Sequence, residues 1–486
     1  MAPTQSRSCC RFSIRNALRH PIAILKVVIL TTAVLFFTYL TRSYSASLAF
    51  KSPSPYAQYD NFTSTLSDSA VSVPPLSPAK VKTSGWEETV IPSGAHVHGF
   101  TVLDNIYLRD GTFYVVTDDP SFPPRNRLLS RPVEMKGGGG GEDPTPTDEQ
   151  LQFISPDQAT SILGDSLTRI EGFSVIVYDV PQFVGHFYHW FGEIILGAWR
   201  VYSHILLSSP SSPLPFPRRF ILPFISDDKW RDKAGMDGPL MRAAFPDVPI
   251  EQAGYWDDLR KLGKTVVFSR VMLVNRSAAH KHPFGGVWYK MIAGAMNVTA
   301  PHDFWAPIRA SLLRNVLAPG LIPDSTQDPP SLPLVTYISR QGTGRRLLAA
   351  DHNALVDALK ELEVEGLCEV QIAVLERMTL AEQIELVARS LIIVGVHGNG
   401  LTHQLWMPPQ PRSTMIEIFF PNGYTFDYEI VARNMGHRHY AVWNDTFLTY
   451  PEGTTHKGVK YPEGFHGDKI PVYPPTVVSI IRERLS

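Results

Sequence analysis

The chain has 486 residues, 44% of them hydrophobic and 19% charged, an ordinary globular composition with material for two or three packed domains. Its 45 basic and 46 acidic side chains leave a net charge of -1. No whole-chain field then attracts polyanions, and a nucleic-acid partner is disfavoured.

Residues 1–20 carry Arg7, Arg11, Arg15 and Arg19 and no acid; residues 21–41, PIAILKVVILTTAVLFFTYLT, are apolar except for Lys26. Such a run is about long enough to cross a bilayer as one helix. The arginine excess before it predicts a cytosolic amino terminus and a single-pass type II anchor, held to the membrane of the Golgi or endoplasmic reticulum. The small residues of SYSASLAF just beyond leave a cleaved signal peptide as the alternative, for which the basic leader is long. Either reading puts the remainder in the secretory lumen. Four N-x-S/T sites, Asn61, Asn275, Asn297 and Asn444, agree with that compartment. Cys9 and Cys10 fall on the cytosolic side, which leaves Cys368 alone in the lumen without a partner for an intrachain disulfide.

Residues 42–85 are Ser-, Pro- and Thr-rich and read as a stem or linker. A first α/β domain is expected over 86–322. It opens with a hairpin signal, VLDNIYLRDGTFYVV, turning at Asp110-Gly111. A surface insertion follows at 136–150, then a strand at 173–180 and a long helix over 185–207. RRFILPF reads as a further strand, with helical stretches over 230–244 and 303–317 and the strand VVFSRVMLV between them. The Pro-rich stretch 321–333 marks a boundary.

A second domain over 334–486 alternates more cleanly. Strands are expected at LVTYIS, EVQIAVL, LIIVGV, TMIEIFF and HRHYAVW. Asp351 is placed as the cap of a helix with Leu355, Ala358, Leu359 and Leu362 on one face. Thr379 and Glu382 form a capping-box pattern, a short helix starts near Leu401, and another helix ends at Gly436. Short apolar strands separated by helices predict a doubly wound parallel sheet whose ligands lie outside the carboxyl ends of its strands.

Four groups of residues carry possible chemistry. His397, Gly398, Asn399 and Gly400 end a buried strand and open a helix, a turn that aims backbone N–H groups at an anion; the plain alternative is a tight turn with a core histidine. Ser339 and Arg340 close the first strand of the same sheet, and Arg345 and Arg346 follow, so guanidinium forks and the HGNG turn share one rim suited to a diphosphate. Glu417 interrupts an apolar strand; it can take a ribose hydroxyl or form a salt bridge to a neighbouring element. In HFYHWFGE a helix sets His186, His189 and Glu193 on one face, with His189 as a general base and Glu193 as its orienter or substitute; a structural role is the alternative. No D-x-D triad occurs and no further zinc-type ligand cluster appears.

Two Rossmann-like domains behind an anchor and stem describe the general build of Golgi glycosyltransferases. The strings HFYHWFGE (186–193), YISRQGTGRR (337–346) with Asn353, VGVHGNGLTH (394–403) and IEIFFP (416–421) resemble glycosyltransferase family 61, the family of plant xylan xylosyl- and arabinosyltransferases and animal O-linked N-acetylglucosaminyltransferases. The resemblance implies a two-domain fold of the GT-B type and an inverting transfer of xylose, N-acetylglucosamine or arabinose from a UDP-sugar to a glycan or glycoprotein, with no cofactor and no bound metal. It departs from the family at His186, where asparagine is usual, at Asn399 and His403 in the HG-x-GLT string, and at Ala354. His186 and His403 are therefore placed where sugar or acceptor choice differs. A carbohydrate-binding protein of the same fold without turnover is the alternative.

Overall fold

Residue types explain the turn at residues 110–111. Asp110 and Gly111 both take positive φ, 53° and 93°, the pair of conformations a two-residue hairpin turn needs. They join β2 (Phe100–Arg109) to β3 (Thr112–Val116) as expected. The computed structural model describes residues 86–135, 141–211, 213–322, 332–450 and 456–486. The expected tail, anchor and stem, and with them Asn61, lie outside the described residues. Among the described residues no helix is long and apolar enough to cross a membrane.

The first sheet is mixed. Beside β2 and β3 it contains β1 (His96–Val97), β4 (Leu151–Ile154), β5 (Leu167–Val177), β6 (Arg219–Ile221), β7 (Ile250–Glu251) and β8 (Thr265–Val274). The order is β4-β3-β2-β8-β5-β6-β7, with β1 on β2; β8, β5, β6 and β7 run parallel and form its Rossmann-like part. The helix expected over 230–244 is confined to Asp237–Ala244. Asp232 takes up the backbone N–H groups of Met236 and Asp237, both at 2.7 Å, and so ties the preceding residues into turns.

The second sheet has the order β10-β9-β11-β12-β13-β14: β9 (Leu334–Ile338), β10 (Glu369–Ala373), β11 (Ser390–Val396), β12 (Thr414–Ile418), β13 (Arg438–Trp443) and β14 (Thr446–Tyr450). Five strands are parallel and β14 turns back antiparallel, a strand the sequence reading did not separate. Alternate residues explain why both faces are covered. Ile392 and Val394 face a cluster with Leu355, Leu359 and Leu362 of the helix Ala349–Val364, whereas Ile393 faces Ile384, Val387 and Ala388 of the helix Leu380–Arg389. The Thr379–Glu382 capping box forms, and Gly436 ends its helix in the left-handed conformation. The expected cap at Asp351 does not form: Leu348 occupies the cap position, and the Asp351 carboxylate accepts the Val472 N–H at 3.0 Å.

Residues Thr83–Ser486 make one compact unit. Its largest apolar cluster passes from the first sheet to the second through Phe187, Phe191, Trp305, Leu401, Leu405 and Trp406. Trp305 and Arg309 fasten this contact by donating to the carbonyls of Leu405 and Trp406, both at 2.9 Å.

Candidate active site

In a doubly wound sheet the strand order reverses between the parallel neighbours β9 and β11, and the crevice opens at their carboxyl ends. Arg340 follows β9 and the HGNG turn follows β11, so the topology brings together two of the sequence groups. Arg340 Nη1 donates to the carbonyl of His397 at 2.5 Å, and Arg345 Nη1 reaches the same oxygen at 3.2 Å. A Cβ on Gly398 would lie 1.7 Å from Arg340 Nη1, so only glycine lets the guanidinium approach. Neither arginine has a carboxylate within ion-pair distance among the described residues. Arg346 turns elsewhere, to Asp468 at 2.8 Å, and Ser339 is buried with its N–H on the carbonyl of Ala373. Gly400 is packed close to Leu375 and Ile338.

Glu417 does not reach the crevice. It is 0% exposed, and its two oxygens meet His397 Nδ1 at 2.5 Å and His439 Nε2 at 2.8 Å. The ribose contact expected of it is thus replaced by a buried relay, His439–Glu417–His397, spanning three adjacent parallel strands. Burial, with Asp427 and Glu429 nearby, drives its carboxyl well above the usual range, and burial lowers both histidines to about 3. A protonated Glu417 that donates to one imidazole and accepts from the other satisfies both contacts without net charge. The relay fixes His397, whose carbonyl gathers the two arginines.

The histidine segment lies across the crevice. Residues Tyr188–Ile195 wind as a π-helix, and His186 precedes it. The wider winding is characteristic of functional sites, and here it sets His189 Nδ1 2.6 Å from Glu193 Oε2. Glu193 is 1% exposed and also accepts from Arg276 Nη1 at 2.7 Å. Burial alone would favour the neutral acid, but Arg276 and His189 outweigh it and hold the carboxyl well below its ordinary value. Arg276 Nε lies 3.6 Å from Asp179, which burial lifts to about 6 against the pull of Arg276. Glu193 is therefore a buried anion that orients His189 and is not itself placed to take a substrate proton. His189 is 21% exposed, and among the described residues no hydrogen bond occupies its Nε2. Tyr188 N–H joins this segment to the rim by donating to Asn399 Oδ1 at 3.2 Å, and Lys290, 5.6 Å from the Tyr188 ring centre, meets Asp427 Oδ1 at 2.9 Å. The side chain of Asn399 thus holds the two halves in register. No three His, Cys, Asp or Glu side chains gather to hold a metal ion among the described residues.

With this geometry stand the likenesses to known proteins. The model of the family described as Glycosyltransferase 61 matches residues 187–416, which run from the π-helix to β12. Residues 187–416 carry the likeness to glycosyltransferase family 61. The EGF domain-specific O-linked N-acetylglucosamine transferase of Drosophila melanogaster is 32% identical over 133 residues, 27% of this chain and 22% of that protein. The chain is thus matched to less than a quarter of that relative's length.

Within and beside the family 61 region the structure adds Asp179, Arg276, Lys290, Asp427 and His439, none of which the sequence reading marked. Asp179 and Arg276 follow the parallel strands β5 and β8, so the strand-end rule applied to the first sheet would have found them. Two marked histidines are relocated. His403 is buried with Nε2 2.9 Å from Gln383, a core position and not a specificity position. His186 is lowered to about 4 by burial and by His189, its ring 5.0 Å from that of His189. Of the sequons, Asn275 is 1% exposed and caps the helix Arg276–Ala279, its amide bonded to Ser130, Tyr178 and Ala278, which leaves no room for a glycan. Asn297 is exposed, and Asn444 is half-buried in the turn before β14.

Buried histidines make stability depend on pH. His280, His403 and His437 are lowered to about 4, and His397 and His439 to about 3, all chiefly by burial. Below pH ~6.5 the unfolded chain takes up protons that the folded protein refuses. The stability is whole above that pH and falls as pH drops towards 4, by about 1.4 kcal/mol per unit for each such group. The raised acids Glu417, Asp179 and Asp237 act in the opposite sense and offset part of this. The melting temperature is expected to fall by several degrees between pH 6.5 and 5 in thermal scans. A flat or rising profile over that interval would show that these histidines are charged in the folded protein.

Proposed function

We propose that the protein is a glycosyltransferase that moves a sugar from a uridine diphosphate donor to a hydroxyl of a glycan or glycoprotein, with inversion at the anomeric carbon. The observation that carries the reading is the pair Arg340 and Arg345, two half-buried guanidinium groups that share one carbonyl and have no carboxylate within ion-pair distance among the described residues, at the switch point of the second sheet. Cations left unpaired at that place suit a diphosphate. Residues of the family 61 region supply the rest. His189 Nε2 takes the proton from the acceptor hydroxyl. The freed oxygen attacks the anomeric carbon from the face opposite the diphosphate, whose bond to that carbon breaks with its electron pair. Arg340 and Arg345 then offset the charge that grows on the departing phosphate, with no bound metal required.

N-acetylglucosamine, the sugar in the fly relative's name, is the first donor to test, with xylose and arabinose beside it. The apolar run at 21–41 and the exposed sequon Asn297 support a type II protein of the Golgi or endoplasmic reticulum. Incubated with the three UDP-sugars, the purified chain is expected to release UDP from one of them. Arg340→Ala is expected to lower that release and donor affinity by about 10²- to 10³-fold. Full release and full affinity in the variant would remove the arginines from the leaving-group site.

A further inference from the structure

Lys290 stands between the two catalytic constellations. It follows the short helix Pro283–Trp288, whereas its partner Asp427 opens the helix Asp427–Met435 behind the second sheet; their side chains are 11% and 15% exposed. The ammonium lies 5.6 Å from the ring centre of Tyr188, the residue whose N–H holds Asn399. Tyr188 is 5.4 Å from Tyr428, and Tyr428 is 5.3 Å from His397. These contacts link Lys290 through two tyrosine rings to His397, on which its charge acts.

Charge around that turn does not balance. Arg340 and Arg345 have a carbonyl as their polar partner, and Lys290 has one carboxylate, Asp427, whose other oxygen accepts from Thr425. Among the described residues the three cations have that one carboxylate within ion-pair distance, while Glu376 and Glu193 act on Arg340 and Lys290 from farther off. Cations with so few close anions gain from a ligand that brings the opposite charge. A nucleoside monophosphate offers its charge on a single phosphate, whereas a diphosphate spreads it over two and can meet the guanidinium groups and a further cation at the same time. The Lys290 ammonium keeps N–H groups beyond the one on Asp427, and as a point charge on a flexible stem it can follow a phosphate without a fixed fork.

Resting on the donor reading above, we propose that Lys290 is the third cation of the donor site: it contacts the outer phosphate of the nucleoside diphosphate, and Asp427 is the positioning residue that holds it when the site is empty. Arg340 and Arg345 then serve the diphosphate from the rim, and Lys290 joins them at the outer phosphate, where charge grows as the sugar leaves.

The test compares UDP and UMP by calorimetric titration of the 486-residue chain, with thermal stability followed in parallel. Lys290→Met is expected to weaken UDP by about 10- to 100-fold and UMP by less than about 2-fold, since one charge-assisted contact is lost from the outer phosphate only. Asp427→Asn, which keeps the ammonium and frees it, is expected to leave UDP affinity unchanged or raised. Equal losses for both nucleotides, or an unchanged UDP affinity in Lys290→Met, would make the pair a structural strap and overturn the assignment. So would a loss of UDP affinity in Asp427→Asn as large as that in Lys290→Met. A wild-type chain that binds UDP while Lys290→Met binds it equally well rejects only the role of Lys290; a wild-type chain that binds neither nucleotide rejects the donor reading and the role with it.

Discussion

Replacing His189 with alanine is expected to lower sugar transfer by about 10²- to 10⁴-fold while leaving the protein folded. The imidazole is the one member of its chain of contacts that meets solvent: behind it Glu193 is buried, and behind Glu193 stands Arg276. Removing the ring leaves the Glu193–Arg276 pair intact, so no buried charge loses its counter-ion and little stability is lost. The acceptor proton, however, has no other side chain arranged to receive it, and the reaction falls back on water. Donor affinity measured by titration should stay within about 2-fold, because the donor diphosphate is assigned to the other side of the crevice. Transfer that survives the substitution within about 3-fold would exclude His189 as the base.

Arg276→Met carries the largest expected cost to the fold, about 3–5 kcal/mol. Arg276 is 3% exposed and stands between two carboxylates, Glu193 and Asp179, while its guanidinium also lies 4.5 Å from the ring centre of Phe183. Methionine retains the apolar contact and removes the charge, which strands an anion that the folded protein otherwise holds well below its ordinary pKa. A second change, Glu193→Leu on that background, takes away the stranded anion and is expected to restore part of the loss. Denaturant midpoints of the two variants and the wild type decide the matter. A single variant as stable as wild type would mean that the pair is not desolvated as the geometry implies.

The five parallel strands of the second sheet were legible as apolar runs between helices, and the Thr379–Glu382 box and the Gly436 stop lie where sequence chemistry requires them. The rim at Arg340 and HGNG was legible for the same reason, since strand ends of one parallel sheet must share an edge. Glu417 was conspicuous as an acid in an apolar strand, but its partners come from the two strands that flank it, and strand order is not written in local pattern. Lys290 and Asp427 meet across 137 positions of sequence with no periodic signal between them. The histidine segment misled by its winding. Ordinary helical spacing puts His186, His189 and Glu193 on one face, whereas the observed π-helix starts after His186 and pairs only the latter two.

The apolar cluster that runs from one sheet into the other has a mechanical consequence. Phe191, Trp305 and Trp406 lie fully inside it, and each buried aromatic contributes about 1.5–3 kcal/mol by its removal from water. Swinging one half away from the other as a rigid flap would wet all three at once. The halves are welded, not hinged, so a substrate enters and a product leaves through small local displacements at the crevice's own edge, and the machinery on its two sides keeps its spacing through every turnover.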